Sequence, residues 1–116
     1  MVGHHVKRFS YAWQGLLVGS TKDMHVALCV FSIIPLALFG YVVRPLSLVE
    51  LGFLALAYTL VLITELQNSA LERALDRLHP ERHEEIGIAK DMSAAAVLVA
   101  GIFALGVVAT IVIVRL

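Results

Sequence analysis

The sequence predicts an all-α membrane protein: three transmembrane helices, preceded by an amphipathic helix lying on the membrane surface. Three observations carry that reading. Hydrophobic residues make up 59% of the 116-residue chain and mean hydropathy is +0.88, above the roughly 45–50% apolar usage of soluble domains. A fold this small cannot cover so much apolar surface with so little polar surface. Charge is also segregated: between Met24 and Thr64 the only charged side chains are Arg44 and Glu50, and between Met92 and Val114 there are none. Finally, three windows reach the ~20 mostly apolar residues that a bilayer core requires. Open strands cannot satisfy their backbone in lipid, so all three windows are read as helices.

The surface helix covers about 5–20. Phe9, Trp13, Leu16 and Leu17 share one of its faces, while Lys7, Ser10 and Gln14 point largely elsewhere. Basic and aromatic residues beside an apolar stripe suit the headgroup layer. Residues 6–20 lack the long apolar core and small-residue cleavage site of a signal peptide, so the hydrophobic runs are expected to stay in the mature protein. The spans are expected at 25–43, at 48–66 with the helix continuing to about 78, and at 91–114. Pro45 cannot continue a helix interior and marks the turn at 42–47. All of 1–116 reads as a single domain, without internal repeats or low-complexity tracts.

Nine basic and nine acidic side chains cancel, which gives no electrostatic reason to expect nucleic acid as a partner. Their placement is informative. Lys7, Arg8 and Lys22 precede the first span, and Arg73, Arg77, Arg82 and Lys90 lie between the second and third. The positive-inside rule then puts the amino terminus and the 73–91 loop in the cytoplasm and the carboxyl terminus outside. Cys29, the single cysteine, lies in an apolar run and reads as a small packing residue.

The second span continues past the headgroups through a polar stretch. Glu65, Asn68 and Glu72 are spaced i, i+3, i+7, and Asp76 extends the row by four. That spacing places them on one helical stripe. Glu65 falls near the hydrocarbon edge, where an ionisable group is costly unless it faces a protein interior or a wet cleft. Lys90 and Asp91 stand just before the third span and Asp23 just before the first. Carboxylates gathered beside a lysine are able to hold Mg²⁺ and balance a polyphosphate, and an acid at the boundary is able to take a proton from a lipid hydroxyl. Spacing alone leaves a second reading open, an ordinary amphipathic extension with i, i+4 ion pairs. His79 and His83 have a zinc-compatible spacing, but Pro80 lies between them and no third ligand is evident. No G-x-x-x-x-G-K loop occurs, so an ATP site here is unlike that of soluble P-loop enzymes.

The string E-L-Q-N-S-A-L-E-R-A-L-D-R at 65–77, with H-x-x-x-x-x-A-K-D-M-S-A-A-A-V-L at 83–98, resembles the prokaryotic diacylglycerol kinase and undecaprenol kinase family. That family carries a Glu-x-x-Asn-x-Ala-x-Glu-x-x-x-Asp row, then a histidine and an Ala-Lys-Asp opening the last span. Glu65, Asn68, Ala70, Glu72, Asp76, His83, Ala89, Lys90 and Asp91 match it. F-S-Y-A-W-Q-G-L at 9–16 is similar to the family's aromatic-rich surface helix.

The resemblance implies an ATP-dependent kinase of a membrane lipid alcohol in the bacterial inner membrane, a homotrimer whose active sites form between subunits. It implies Glu65 as general base with Asn68 beside it, and Mg²⁺ held by Glu72. It also implies nucleotide contacts at Tyr11, Glu72, Asp76, Glu81, Arg82, His83, Lys90 and Asp91. There are two departures. The family's second metal-binding glutamate, before the first span, is replaced here by Asp23, one methylene shorter. An arginine near the amino terminus of some members falls at His4. Diacylglycerol is the expected substrate and undecaprenol the alternative, both offering a primary hydroxyl. A non-catalytic scaffold or transport subunit is the competing class, and acid at the membrane edge argues against it.

Overall fold

The computed structural model describes residues 2–81 and 83–116, which form five helices. They are α1 (Val2–Lys22), α2 (Met24–Phe31), α3 (Ile33–Val42), α4 (Leu48–Leu78) and α5 (Glu84–Arg115), with no strand among the described residues. Three stretches are long and apolar enough to cross a membrane: Met24–Val42, Leu48–Leu78 and Glu84–Arg115. The all-helical, three-span class expected from hydropathy is the one observed.

The stretch expected as one span at 25–43 is two helices, broken at Ser32. Pro35 explains the break. It has no N–H to give to the Phe31 carbonyl, and its ring crowds that carbonyl, so the helix restarts with Pro35 in its first turn. Local bonds mend the joint. The Ser32 N–H reaches the Leu28 and Cys29 carbonyls at 3.0 and 3.2 Å, and its hydroxyl donates to the Cys29 carbonyl. From α4, the Tyr58 hydroxyl donates to the Val30 carbonyl at 2.9 Å, bridging the two spans beside the break.

The long helices have identifiable ends. Ser47 starts α4 with a capping box: its hydroxyl accepts from the Glu50 N–H, and the Glu50 carboxylate accepts from the Ser47 N–H. Leu78 ends it, because His79 precedes Pro80 and a residue before proline is driven out of the helical region. His83 caps α5 by accepting from the Glu85 N–H at 3.1 Å, and Glu84 and Glu85 complement the positive end of that helix. The helix therefore begins ahead of the apolar window at 91–114.

α4 is the hub, packing chiefly on α5 and then on α2, while α1 packs on α2. Its inward seam is Leu54, Tyr58, Val61, Glu65, Asn68 and Glu72, all buried or half-buried and spaced alternately four and three. That is the period of a left-handed helix pair. The α1–α2 elbow sits tightly on this hub at Gly19, where a Cβ would lie 3.3 Å from Val26 and 3.4 Å from Leu66. The core is thin, and α3 buries none of its residues. Within each spanning window 11% is buried, which leaves the apolar surface to lipid or to further subunits.

Removing the Tyr58 hydroxyl isolates the one side-chain hydrogen bond that joins α4 to α2 among the described residues. Tyr58→Phe is expected to lower stability by about 1 kcal/mol, the scale of interhelical hydrogen bonds in membranes, measured by unfolding in mixed micelles. An unchanged midpoint would mean that the bond does not hold the break in place.

Candidate functional site

The α4 seam changes character between Val61 and Glu65. Below that point it presents Leu54, Tyr58 and Val61; above it, Glu65, Asn68 and Glu72 occupy the positions that packing residues held one turn earlier. The acidic row is thus the continuation of the helix's packing face, not a solvated flank. Glu65, Asn68 and Glu72 are half-buried, and neither carboxylate has an ion-pair partner among the described residues. The Asn68 Oδ1 is buried with no hydrogen-bond partner. An unpaired buried acceptor is costly, and here it is aligned with two carboxylates.

Asp23 reaches the same turn of α4 from the α1–α2 elbow. One of its oxygens, Oδ1, accepts from the Val26 N–H at 3.0 Å and so caps α2. That bond is the main reason that the Asp23 carboxyl lies below its ordinary range. Partial burial opposes it, while the Ser69 hydroxyl, the His25 N–H and the Arg73 charge add to it. Ser69 is buried. Arg73 donates to the Lys22 carbonyl at 3.3 Å, fastening the last turn of α1 to α4. Around this elbow lies a cleft of about 430 Å³, bordered by Gly15, Gly19, Asp23, Leu66, Ser69 and Arg73.

On the other flank of the row, Lys90 forms an ion pair with Asp76, joining the start of α5 to the end of α4. The two residues are 14 apart in sequence. Asp91 is exposed beside Lys90, Glu81 is exposed in the connecting loop, and Tyr11 is exposed on α1. Arg82 lies outside the described residues. The structure therefore brings together Asp23 with the Ser69–Arg73 turn and Lys90 with Asp76. Among the described residues, neither Tyr11 nor Glu81 makes a hydrogen bond or ion pair to the row.

Among the described residues no three His, Cys, Asp or Glu side chains converge to hold a metal ion. Mg²⁺ does not require such a cage, since it is commonly bound by one or two carboxylates together with substrate phosphates and water. Asp23 would fit that chemistry as a hard oxygen donor at the cap of α2, and Glu72, three residues beyond Ser69 on α4, would be a second.

A family profile described as "Prokaryotic diacylglycerol kinase" matches residues 10–112. The chain belongs to that family. A diacylglycerol kinase from Haemophilus influenzae is 33% identical over 100 residues, covering 84% of this chain and 81% of that protein. One from Synechocystis is 33% identical over 97 residues, covering 83% of this chain and 55% of the relative. The Escherichia coli diacylglycerol kinase is 56% identical over 45 residues, 39% of this chain and 37% of that protein's length.

Three participants were not legible as such in the sequence. Ser69 and Arg73 flank Asp23, and their only signal is the i, i+4 spacing on α4 beside the acidic row. His83 caps α5, a role signalled by the acidic residues that follow it.

The cap at Asp23 generates a test. Asp23→Ala is expected to destabilise the protein by about 1 kcal/mol, whereas Asp23→Asn keeps a capping oxygen and is expected to be near neutral. Because the folded-state carboxyl is depressed below its ordinary 3.8, its contribution is full at neutral pH and fades only as pH falls from about 4 through the lower folded value. In Asp23→Asn that acid-side loss disappears. Thermal unfolding between about pH 3 and pH 7 reads both effects, and equal stability of the alanine variant would remove the cap from the argument.

Proposed function

We propose that the protein is a membrane lipid kinase that transfers the γ-phosphoryl group of MgATP to diacylglycerol, giving phosphatidic acid. The observation that carries this reading is Glu65. It is a half-buried carboxylate without an ion-pair partner, at the point where the packing seam of α4 turns polar, inside the segment matched to the family. An acid in that position meets a lipid hydroxyl arriving sideways from the bilayer, and removes its proton as the oxygen attacks phosphorus. The new oxygen–phosphorus bond forms as the β,γ-bridging bond breaks, and ADP leaves. Asn68 stands one turn on as a polar group beside the base, where its amide N–H is able to donate to the hydroxyl oxygen while Glu65 takes the proton. Relatives named diacylglycerol kinase favour that lipid over undecaprenol.

The nucleotide is assigned to the polar end of the bundle. Lys90 meets the phosphates, Asp91 and Asp76 stand beside it, and Tyr11, Glu81, Arg82 and His83 contact the rest of the nucleotide. Glu72 and Asp23 would hold Mg²⁺, which would supply neutralisation of the phosphate charge. Amino-terminal and 73–91 segments face the cytoplasm, the carboxyl terminus faces outward, and the membrane is the bacterial inner one. Tyr11 and Glu81, both exposed and without a hydrogen bond to the row among the described residues, fit a homotrimer in which neighbouring subunits complete each site.

Glu65→Gln is expected to cut turnover by at least about a hundredfold while leaving oligomer assembly intact, read as label moving from γ-labelled ATP into extracted lipid. Near-normal transfer would remove Glu65 from the base role, and no transfer by the unmodified protein on any lipid would favour a scaffold. In the same assay, diacylglycerol is expected to turn over faster than undecaprenol, and the reverse order would reassign the substrate.

A further inference from the structure

The end of the bundle farthest from Glu72 holds the most completely bonded side chain in the protein. Arg115, the last residue of α5, grips Glu50 with a two-pronged fork, at 2.6 Å from Nη1 to Oε2 and 3.0 Å from Nη2 to Oε1. Its Nε donates to the Val43 carbonyl at 2.6 Å, and Nη2 donates to the Pro45 carbonyl at 2.6 Å. A last bond, from Nη1 to the Ile111 carbonyl at 3.3 Å, lies within its own helix. All five N–H groups of the guanidinium are thereby used. The pair is largely shielded, with side chains 24% and 23% exposed. Glu50 also closes the capping box of α4.

Only two contacts with direction join α4 to α5 among the described residues, and they lie at opposite ends: Glu50–Arg115 and Asp76–Lys90. The residue numbers of these pairs add to 165 and 166, so both ends specify one antiparallel register. Leu54 and Ile111, both buried, fall on the same register. So do Glu65 and buried Ala100, which puts the candidate base level with the small Ala100–Gly101 step of α5. Between the ends the α5 residues on this register, Ser93, Val97, Ala100, Ala104, Val107 and Ile111, are apolar or small, a surface that packs well but resists axial sliding weakly. The proposed reaction calls on Lys90 to meet phosphate, and it then gives up Asp76. Arg115 is the contact that remains.

We propose that the Glu50–Arg115 clamp is a positioning device for phosphoryl transfer: it holds the axial register of α5 against α4 while Lys90 engages the nucleotide. This rests on the lipid-kinase reading above. Neither residue touches the reacting atoms, which lie about 15 residues, or roughly 22 Å, along α4 from Glu50. They act through Lys90 and Glu65. A slip of one residue displaces Lys90 by about 1.5 Å, and an error of that size is enough to cost up to about a hundredfold in rate.

The test reads register and kinetics together, in membranes and in a Cys29→Ala background. Leu54→Cys is combined in turn with V107C, V108C, I111C and V114C, and cross-linking is scored with and without Glu50→Gln or Arg115→Lys. Glu50→Gln leaves the Val43 and Pro45 bonds of Arg115 in place, and Arg115→Lys keeps the charge but not the fork, so neither variant strips the whole clamp. The expected result is cross-linking concentrated at I111C with the intact clamp, and spread to the neighbouring positions in both variants. KM for MgATP is expected to rise and kcat to fall, with kcat/KM lower by about tenfold or more. Unchanged cross-linking in both variants, or unchanged kinetics, overturns the proposal, and so does lost activity with the register intact. If the unmodified protein transfers no phosphate, the lipid-kinase reading falls by itself, while the cross-linking pattern still decides whether the clamp sets the register.

Discussion

A helix of 31 residues extends about 46 Å, whereas the hydrocarbon layer takes up about 30 Å of it. The surplus length of α4 is the constraint on which the rest of the structure depends. A span that stopped at the headgroups would leave its polar continuation to a loop, with the mobility loops bring. Here the same rigid rod carries Leu54 and Tyr58 into lipid and Glu65, Asn68 and Glu72 out of it, on one seam of constant period. The position of the acidic row is therefore set by packing inside the membrane. The neighbours follow from that. α5 runs back along the seam, and the α1–α2 elbow closes on it through Gly19, Asp23 and Arg73.

Much of this was legible in the sequence, for physical reasons that differ by element. Hydropathy and charge segregation report the solvent a segment needs, so three spans and an all-helical class could be read directly. The row from Glu65 to Asp76 was legible as well, because helical period alone aligns it. Its meaning was not: spacing could not tell a packing face that turns polar from a solvated extension, and burial of Ser69 and of the Asn68 oxygen decides for the first. The break at Ser32 follows from Pro35, a local signal that averaging over an apolar window hides. Contacts distant in sequence escaped altogether. Lys90–Asp76 and Arg115–Glu50 join residues 14 and 65 positions apart, and no periodicity within one helix points to a partner on another.

The thinness of the core also bears on chemistry. With so little of each span covered, one chain cannot keep water from Glu65, Asn68 and Glu72, which remain only half-buried. Electrostatic stabilisation of a transferring phosphoryl group is strongest where water is excluded. On the proposed reading, adjoining subunits and the lipid substrate supply that exclusion. On the same reading, a neighbour also brings the proposed nucleotide contacts at Tyr11 and Glu81 to each site.

On the proposed reading, Asp23 shows how far a metal site is prepared before the ion arrives. A carboxylate used as a helix cap is held in place by the backbone N–H of Val26, and the Ser69 hydroxyl adds to that hold. The cap lowers its pKa and so favours the ionised carboxylate, which is the form a hard cation requires. Aspartate suits this double task better than glutamate, because the shorter side chain caps from its own backbone position with less freedom to lose. On that reading, aspartate in place of the glutamate that the resemblance implies fits the elbow that carries it. That elbow sits close on α4 at Gly19, where a Cβ would lie 3.4 Å from Leu66.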